Sequence, residues 1–256
     1  MLTTRKTKWS AHHTNVCVSI CGENHDALMK EVSQLPLADI DLVEWRIDYF
    51  SDWQETTTVV KTLKHLRDVL KETPLLVTCR TKDEGGQLDL SETAYFDLYQ
   101  DIITTEFVDM IDIEWRHQGG FKASRLKNVL EVYSTPFIRS YHDTEKTGNY
   151  EELVSLLKEM KDLGGDIYKL AVTPTTSQDV LTLLQVLMTM SVTFPETLVC
   201  GISMGELGKL TRISGEIIPS CLTFAKGVQS SAPGQLTVQQ VKETLHLLKP
   251  REAHTK

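Results

Sequence analysis

The chain has 256 residues, of which 41% are hydrophobic and 24% are charged, which is typical of a globular protein with a full core. Its net charge of -8 argues against nucleic acid or an anionic membrane as the main partner. No run of 18 apolar residues occurs, and no apolar stretch follows the basic residues near the N-terminus. The sequence therefore predicts neither a membrane span nor a secretory signal.

From residue 16 onward, short apolar runs typical of strands alternate with amphipathic segments typical of helices. The predicted strands are Val16–Ile20, Ile40–Arg46, Leu75–Arg80, Val108–Glu114, Phe137–Tyr141, Asp166–Val172, Leu198–Ser203 and Ser220–Phe224. The predicted helices cover about residues 25–34, 54–71, 91–106, 121–132, 150–163, 176–193, 205–214 and 237–248. We expect the polar residues 1–15 to form a loose arm or a cover over one end of the fold, and residues 249–256 to form a tail.

Eight βα units in one chain of this length predict an α/β fold, a single-domain (β/α)₈ TIM barrel over residues 16–248. A doubly wound open sheet is the second choice, but it normally has a phosphate-binding glycine turn after its first strand. The turn here reads Ile20-Cys21-Gly22-Glu23-Asn24, without GxGxxG. Two smaller domains are as common at this length, yet no linker or internal repeat divides the chain.

The five cysteines are odd in number, contain no CxxC pair and lie mostly in strand-like runs: Cys17, Cys21, Cys79, Cys200 and Cys221. This pattern favours reduced, buried thiols in a cytoplasmic protein over a disulfide framework. A catalytic cysteine is the less favoured alternative.

The predicted strand Asp166–Val172 carries Lys169 at its middle. Desolvation shifts a lysine toward the neutral amine, which attacks a ketone to form a Schiff base. A lysine that extends from the strand end to solvent is the competing interpretation, and the neighbouring strands must decide.

The C-terminal ends of barrel strands meet at one face, where active sites lie. The polar residues predicted at that face are Ser19, Glu44, Arg46, Arg80, Glu84, Asp112, Glu114, His142, Lys169, Arg212, Ser231 and Gln235. The arginines imply a substrate carboxylate or several hydroxyls, and a lysine with a histidine implies imine formation with proton transfer at the adjacent carbon.

Each of these residues also has a structural explanation when taken alone. Glu44 with Arg46 would be a buried ion pair, and Asp112 with Glu114 would be acidic partners of the lysine. Arg80 would reach solvent from its strand end, His142 would be a hydrogen-bonded loop histidine, and Glu84 would be a solvated loop acid. Ser231–Gln235 would be a Pro-Gly turn. Their convergence on one end of one barrel favours an active site. Zinc, P-loop and nucleophile-elbow chemistry are disfavoured, because HExxH, GxxxxGK[ST] and GxSxG do not occur.

Six segments, in order along the chain, closely resemble the type I 3-dehydroquinate dehydratase family. They are Leu42–Asp48, Thr78–Gly86, Val108–Glu114, Ser140–Asp143, Tyr168–Ala171 and Ser231–Gln235. The resemblance covers about residues 16 to 248 and implies a (β/α)₈ barrel, commonly a homodimer, that needs no metal or organic cofactor. It also implies the substrate 3-dehydroquinate and the third step of the shikimate pathway to chorismate.

The resemblance further implies roles for the motif residues. Lys169 would form an imine with the C3 ketone, His142 would move the proton from C2, and Glu84 would hold His142. Arg212 would bind the C1 carboxylate. Glu44, Arg46 and Arg80 would hold the ring hydroxyls and order the site. Ser231 and Gln235 would lie on a loop that closes over the substrate, and Ser19 would make a weaker substrate contact. Asp112 would orient Lys169 or His142 from behind. Gly148 stands where the family pattern leads us to expect proline, which affects the stiffness of the loop and not the chemistry.

Two other functions stay open. A Schiff-base aldolase also places a lysine on the sixth strand, but such enzymes mostly bind phosphorylated sugars through a glycine-rich site after strands seven and eight. Here those regions read Arg212-Ile-Ser-Gly215 and Ala232-Pro-Gly-Gln235, which suit a carboxylate and hydroxyls better. A non-catalytic metabolite sensor on the same barrel is the second alternative.

Overall fold

The computed structural model describes residues 2–117, 120–228 and 232–250, without the side chains of residues 120–122. Its strands are β1 Thr3–Thr4, β2 Thr7–Lys8, β3 Asn15–Ile20, β4 Leu42–Arg46, β5 Leu75–Thr78, β6 Met110–Glu114, β7 Phe137–Asp143, β8 Ile167–Val172, β9 Leu198–Ser203 and β10 Leu222–Ala225. Its α-helices are α1 His25–Ser33, α2 Thr56–Leu70, α3 Glu92–Ile103, α4 Gly120–Tyr133, α5 Tyr150–Asp162, α6 Ser177–Thr193, α7 Lys209–Ile213 and α8 Val238–Leu248.

Strands β3 to β10 form one parallel sheet in the order β10-β3-β4-β5-β6-β7-β8-β9. The sheet curls until its two edge strands meet. There the backbone N–H of Cys221, just before β10, donates to Val199 O of β9 at 2.8 Å. A helix follows each of these strands and covers the outside. The predicted (β/α)₈ barrel is therefore confirmed.

Most strand residues are buried on both faces of the sheet, as expected for parallel strands covered by helices. One apolar residue from each strand fills the lower part of the barrel: Cys17, Leu42, Leu76, Met110, Ile138, Ile167, Cys200 and Leu222. Outward-facing residues pack under the helices in two further clusters. The barrel is thus filled below and leaves space only toward the C-terminal ends of its strands.

The N-terminal segment forms a short antiparallel hairpin of β1 and β2 at the opposite end of the barrel from those strand ends. Trp9, which follows it, is only 2% exposed and packs into the cluster inside the barrel. Its indole Nε1 donates to Thr4 Oγ1 at 2.9 Å. Arg5 adds an ion pair to Asp109, with 2.5 Å between Nε and Oδ1. The hairpin closes the base of the barrel.

The predicted element boundaries are close to those observed, and the largest difference is at α7. The prediction of residues 205–214 gives way to the short helix Lys209–Ile213. Gly205 has a left-handed φ of +75°, and a Cβ on Gly208 would lie 1.9 Å from the carbonyl oxygen of Ser203. Residues 205–208 therefore form a tight turn before the helix begins. Among the described residues, no helix is both long and apolar enough to cross a membrane.

Candidate active site

A cavity of about 190 Å³ opens at the C-terminal ends of the barrel strands. The predicted site residues that line it are Ser19, Glu44, Arg46, Arg80, Glu84, His142, Lys169, Arg212 and Gln235. Asp112 lies behind Lys169, and Ser231 lies outside the described residues.

The two-residue period of a strand explains why these side chains share one cavity. On each strand, the residue two positions after the apolar residue that fills the lower part of the barrel also points into the barrel, one layer higher. On six neighbouring strands this residue is polar: Ser19, Glu44, Thr78, Asp112, Ser140 and Lys169. On the last two strands it is apolar, Ile202 on β9 and Phe224 on β10. The cavity consequently has one polar wall and one apolar wall.

Lys169 is 5% exposed, so the lysine does not extend to solvent. Its Nζ lies 3.4 Å from Asp112 Oδ2 and 4.4 Å from the centre of the Phe224 ring. Burial alone raises the pKa of a carboxyl, but Arg80 and Lys169 reverse this and lower the pKa of Asp112. Asp112 is thus an anion that holds the amine at the edge of the cavity.

Arg80 connects three carboxylates behind the polar wall. Its Nη1 lies 3.2 Å from Glu84 Oε2 and 3.0 Å from Glu114 Oε1, and its Nη2 lies 2.9 Å from Asp112 Oδ1. Nη1 also donates to Ser140 Oγ at 3.0 Å. Because the guanidinium has so many protein partners, it orders the acids of the site.

His142 lies at the end of β7 and is bound by Glu84. Its Nδ1 is 2.9 Å from Glu84 Oε2, and its backbone N–H donates to the same oxygen at 3.1 Å. Burial, together with the charges of Arg80, Lys169 and Arg46, lowers the pKa of His142 well below its ordinary value. The imidazole is therefore neutral at neutral pH.

The carboxyl of Glu84 is fully buried, and one arginine must balance it together with two other acids. Burial raises the pKa of Glu84 to about 8, and repulsion from Glu114 and Asp112 outweighs part of the attraction to Arg80. Its Oε1 has no hydrogen-bond partner among the described residues, and Arg116 Nε lies 3.9 Å away. A proton on Glu84 Oε2 would reverse the hydrogen bond to Nδ1 and leave the ring proton of His142 on Nε2.

Arg212 is a buried cation in the same cavity, 1% exposed. Its Nη2 donates to Pro233 O at 3.1 Å, whereas its Nε has no hydrogen-bond partner in the part of the chain that the structure describes. No carboxylate of the described residues lies within ion-pairing distance of it, and burial lowers its pKa to about 10. Since an unpaired buried charge is unfavourable, this guanidinium is suited to bind an anion that enters the cavity.

Glu44 and Arg46 do not form the ion pair that was the structural alternative. Glu44 accepts from Ser19 Oγ at 2.5 Å and from Thr78 Oγ1 at 2.8 Å. Arg46 makes a bidentate pair with Asp48, at 2.7 Å through Nε and 2.8 Å through Nη2. Each side chain is held by other protein groups, with one edge toward the cavity.

Two glycine turns bring loop residues to the cavity. Gly85 has φ of +84°, and a Cβ on Gly86 would lie 1.9 Å from Arg80 O, so the loop folds back and places Glu84 under His142. At the other side Gly234 has φ of +76° and packs against Gly205, which positions Gln235 at the mouth.

Several residues of the site were not identified from the sequence as members: Asp48, Thr78, Met204 and Phe224. The two-residue period of the strands was available as a signal for Thr78 and Phe224, since each stands two positions after an inward apolar residue. Asp48 has no such signal, because it follows the end of β4. The less favoured catalytic cysteine has no support, since burial raises the pKa of Cys21 and Cys200 to about 12.

Comparisons with known proteins bear on the same site. A model of the type I 3-dehydroquinase family matches residues 16–252. The 3-dehydroquinate dehydratases of Bacillus licheniformis and Klebsiella pneumoniae are 36% and 35% identical over 91% and 96% of this chain, and over 91% and 98% of their own lengths. The type I enzyme of Clostridium difficile, solved with covalently modified comenic acid, superposes with a TM-score of 0.91 at 34% identity and covers 96% of both chains.

More distant barrels, such as the 3-hexulose-6-phosphate synthase of Salmonella typhimurium with a TM-score of 0.56 at 11% identity, share the fold alone. The family match extends over all eight βα units and includes every strand that contributes to the cavity. The chain therefore belongs to the type I 3-dehydroquinase family, and it is a dehydratase of the hydro-lyase class.

Proposed function

We propose that the chain dehydrates 3-dehydroquinate to 3-dehydroshikimate through an imine on Lys169, with His142 as the acid–base group. The observation that carries this proposal is the placement of Lys169, a buried amine beside an anion, in one cavity with a neutral imidazole and with Arg212, a guanidinium that has no acidic partner among the described residues. These are the three groups that the reaction needs.

The amine nitrogen of Lys169 would attack the C3 carbonyl carbon, and the carbonyl oxygen would take one proton from the amine and one from solvent through His142 and leave as water, which yields a protonated imine. The positive nitrogen withdraws electrons and acidifies the hydrogens on C2. Asp112, which contacts Nζ in the free protein, would stabilise that positive charge as it forms.

His142 would then take a proton from C2 at Nε2, and the C2–H electron pair would move into an enamine. The same imidazolium would return its proton to the C1 hydroxyl as the C1–O bond breaks. One water leaves, and hydrolysis of the imine releases the product and restores Lys169. Glu84 would keep Nε2 free by accepting a hydrogen bond from Nδ1–H, which holds the ring proton on Nδ1.

Binding of the substrate divides between the walls of the cavity. Arg212 would pair with the C1 carboxylate, since no acid of the residues that the structure describes pairs with it and its Nε has no hydrogen-bond partner there. Glu44 and Arg46 would hold ring hydroxyls, while Arg80 would order the acids behind them. Ser19 is a weaker contact through Glu44, and Ser231 with Gln235 would belong to a loop that excludes water.

Borohydride trapping tests the proposal directly. Reduction in the presence of 3-dehydroquinate should inactivate the protein and add the mass of the ligand to the peptide that contains Lys169. Lys169→Ala should lose turnover and trapping, while Lys209→Ala, an exposed lysine on α7, should keep both. Adduct on another lysine, or turnover by Lys169→Ala, would refute the assignment. Turnover in this assay would also exclude a non-catalytic metabolite sensor, because a sensor would not release product.

The aldolase alternative has no observation in its favour. Its substrates mostly carry phosphate, whereas the cavity places one guanidinium next to carbonyl groups of Pro233 and Phe224. Turnover assays with phosphorylated ketoses under the same conditions should show no cleavage.

We further propose that the chain is a cytoplasmic homodimer. The five free cysteines suit a reducing compartment. An apolar stripe on α6, with Leu181 54%, Met188 40% and Val192 77% exposed, could bury itself against a second copy. Sedimentation should show a dimer, and Met188→Glu should weaken it. Leu247→Glu, which introduces the same charge at an exposed position of α8, should leave the dimer unchanged. A monomer at micromolar concentration would refute this part.

A further inference from the structure

A second cavity, of about 260 Å³, lies outside the barrel between β6 and β7 and the helices that cover them. Its apolar lining comes from Phe96, Ile113, Leu126, Leu130, Phe137 and Leu163. Its polar lining includes Arg139, Lys127 and His117. No acidic residue is among the described residues that line it.

Arg139 stands in a layer of the fold that is otherwise apolar. It lies on β7 between the inward residues Ile138 and Ser140, so its side chain points outward beneath the helices. Its partners in the strand register are Ile113 on β6 and Tyr168 on β8. A charged residue here interrupts the contact between two outer apolar clusters.

The charge of Arg139 has no counterion in the described part of the chain. The residue is 9% exposed, and among the described residues the only hydrogen bond of its guanidinium runs from Nε to Gly164 O at 2.6 Å. Its carbon Cζ lies 5.3 Å from the centre of the Phe137 ring. Asp166, on the loop that contains Gly164, instead accepts from the backbone N–H of Phe137 at 2.8 Å.

A buried cation without an anion is unfavourable, and burial accordingly lowers the pKa of Arg139. The Nη atoms of the guanidinium are left for a ligand, and a guanidinium binds a carboxylate through two parallel hydrogen bonds. The surrounding Phe, Ile and Leu side chains fit a flat apolar body behind that carboxylate.

We propose that this cavity is a second ligand site, separate from the catalytic one, that binds a small aromatic carboxylate through Arg139. Lys127, exposed at the rim on α4, adds positive charge at the entrance. The ring of the ligand lies against Phe96, Ile113 and Leu130. The site is independent of the imine chemistry at Lys169, since it opens on the outer side of the barrel wall.

Benzoate is the probe, and benzamide, which has the same shape without the charge, is its control. Benzoate at a concentration of about ten times its Kd should raise the Tm of the full-length protein by about 3–5 °C, as expected for a ligand that binds only the folded state. Benzamide should have no such effect. Calorimetric titration should show one benzoate per chain at this cavity in the Arg212→Gln variant, in which binding at the catalytic cavity is removed.

Arg139→Gln should weaken benzoate binding at least tenfold, while Arg125→Gln, which removes an exposed arginine from α4, should leave it unchanged. Ala123→Phe, which fills the cavity and retains Arg139, should also abolish binding and guards against misfolding of the first variant. Benzoate binding that persists in Arg139→Gln or in Ala123→Phe would overturn the proposal. So would the absence of binding in the Arg212→Gln protein, or equal protection by inorganic phosphate.

Discussion

At the scale of single residues, the cavity depends on an unequal distribution of charge. Arg80 is surrounded by three carboxylates, whereas Arg212 has none among the described residues. Burial, together with the neighbouring acids Glu114 and Asp112, raises the pKa of Glu84, and the positive charge of Arg212 attracts an anion. The same cavity therefore contains a proton acceptor and an anion site a few side chains apart.

The first prediction concerns pH. When Glu84 is protonated, it donates to Nδ1 of His142, so that the ring proton of the neutral imidazole occupies Nε2 and blocks the base. Because burial raises the pKa of Glu84 to about 8, kcat/KM should rise with pH and become level above about 8. Steady-state assays between pH 5.5 and 9.5 measure this.

Glu84→Gln is the control for this pH dependence. The amide oxygen accepts from Nδ1 at every pH, so the step near pH 8 should disappear while the plateau falls, because an amide stabilises the imidazolium less than a carboxylate does. Persistence of the step in Glu84→Gln would assign it to another group.

The second prediction concerns Arg212. Removal of a charge-assisted pair should cost about 1.5–3 kcal/mol, so Arg212→Gln should lower kcat/KM for 3-dehydroquinate by about 10- to 150-fold. The carboxamide analogue of the substrate should react equally slowly with both proteins. An equal loss for both substrates would show that Arg212 acts only on the Pro233 loop, whose carbonyl it holds.

At the scale of elements, strands supply the reactive groups and loops adjust them. Lys169 and His142 lie on neighbouring strands with a fixed register, in which Ser140 pairs with Lys169 and His142 with Ala171. Glu84 is instead on the loop after β5, and a glycine turn returns it to the cavity. Sites on strands tolerate little displacement, whereas the loop position depends on the conformation of two residues.

The third prediction concerns that loop. Gly86→Ala would place a Cβ 1.9 Å from the backbone oxygen of Arg80, so Arg80 and Glu84 must move; kcat/KM should fall at least about 100-fold, together with Tm. Gly164→Ala is the matched control: its φ is +87°, but no atom lies within 4 Å of the added Cβ.

Gly164→Ala should therefore lower the free energy of unfolding by about 1–2 kcal/mol through backbone strain alone and leave kcat/KM unchanged. Near-normal activity of Gly86→Ala would show that the loop can place Glu84 by another path.

At the scale of the whole molecule, the barrel separates stability from chemistry. Its base is filled by apolar residues from all eight strands and closed by the N-terminal hairpin, and its other end carries the polar wall. This arrangement concentrates favourable packing away from the buried charges.

The fourth prediction concerns the base. Trp9 is 2% exposed, so Trp9→Ala should lower the free energy of unfolding by about 3–5 kcal/mol. The kcat and KM of the folded protein should stay unchanged, because the cavity opens at the other end. Urea unfolding and assays on the same samples separate the two effects, and Lys8→Ala, an exposed change in the hairpin, is the control. A loss below about 1 kcal/mol for Trp9→Ala would contradict a role for the hairpin in closing the barrel.

The eight strands, the alternation with helices and the identity of the charged residues at the strand ends were predictable from the sequence. Each of these depends on local periodicity, which a strand or helix imposes on its own residues. Glu44, Arg80, His142 and Lys169 were therefore assigned to one face without knowledge of their neighbours.

The choice of partners was decided only by the tertiary structure. Arg46 pairs with Asp48 and not with Glu44, because Glu44 already accepts hydrogen bonds from the neighbouring strands and Asp48 lies within reach of the guanidinium. The isolation of Arg212 and the shifted pKa of Glu84 likewise depend on burial and on charges from strands far apart in sequence. Periodicity determines which way a side chain points, but its protonation and its pairing follow from the distances that barrel closure sets.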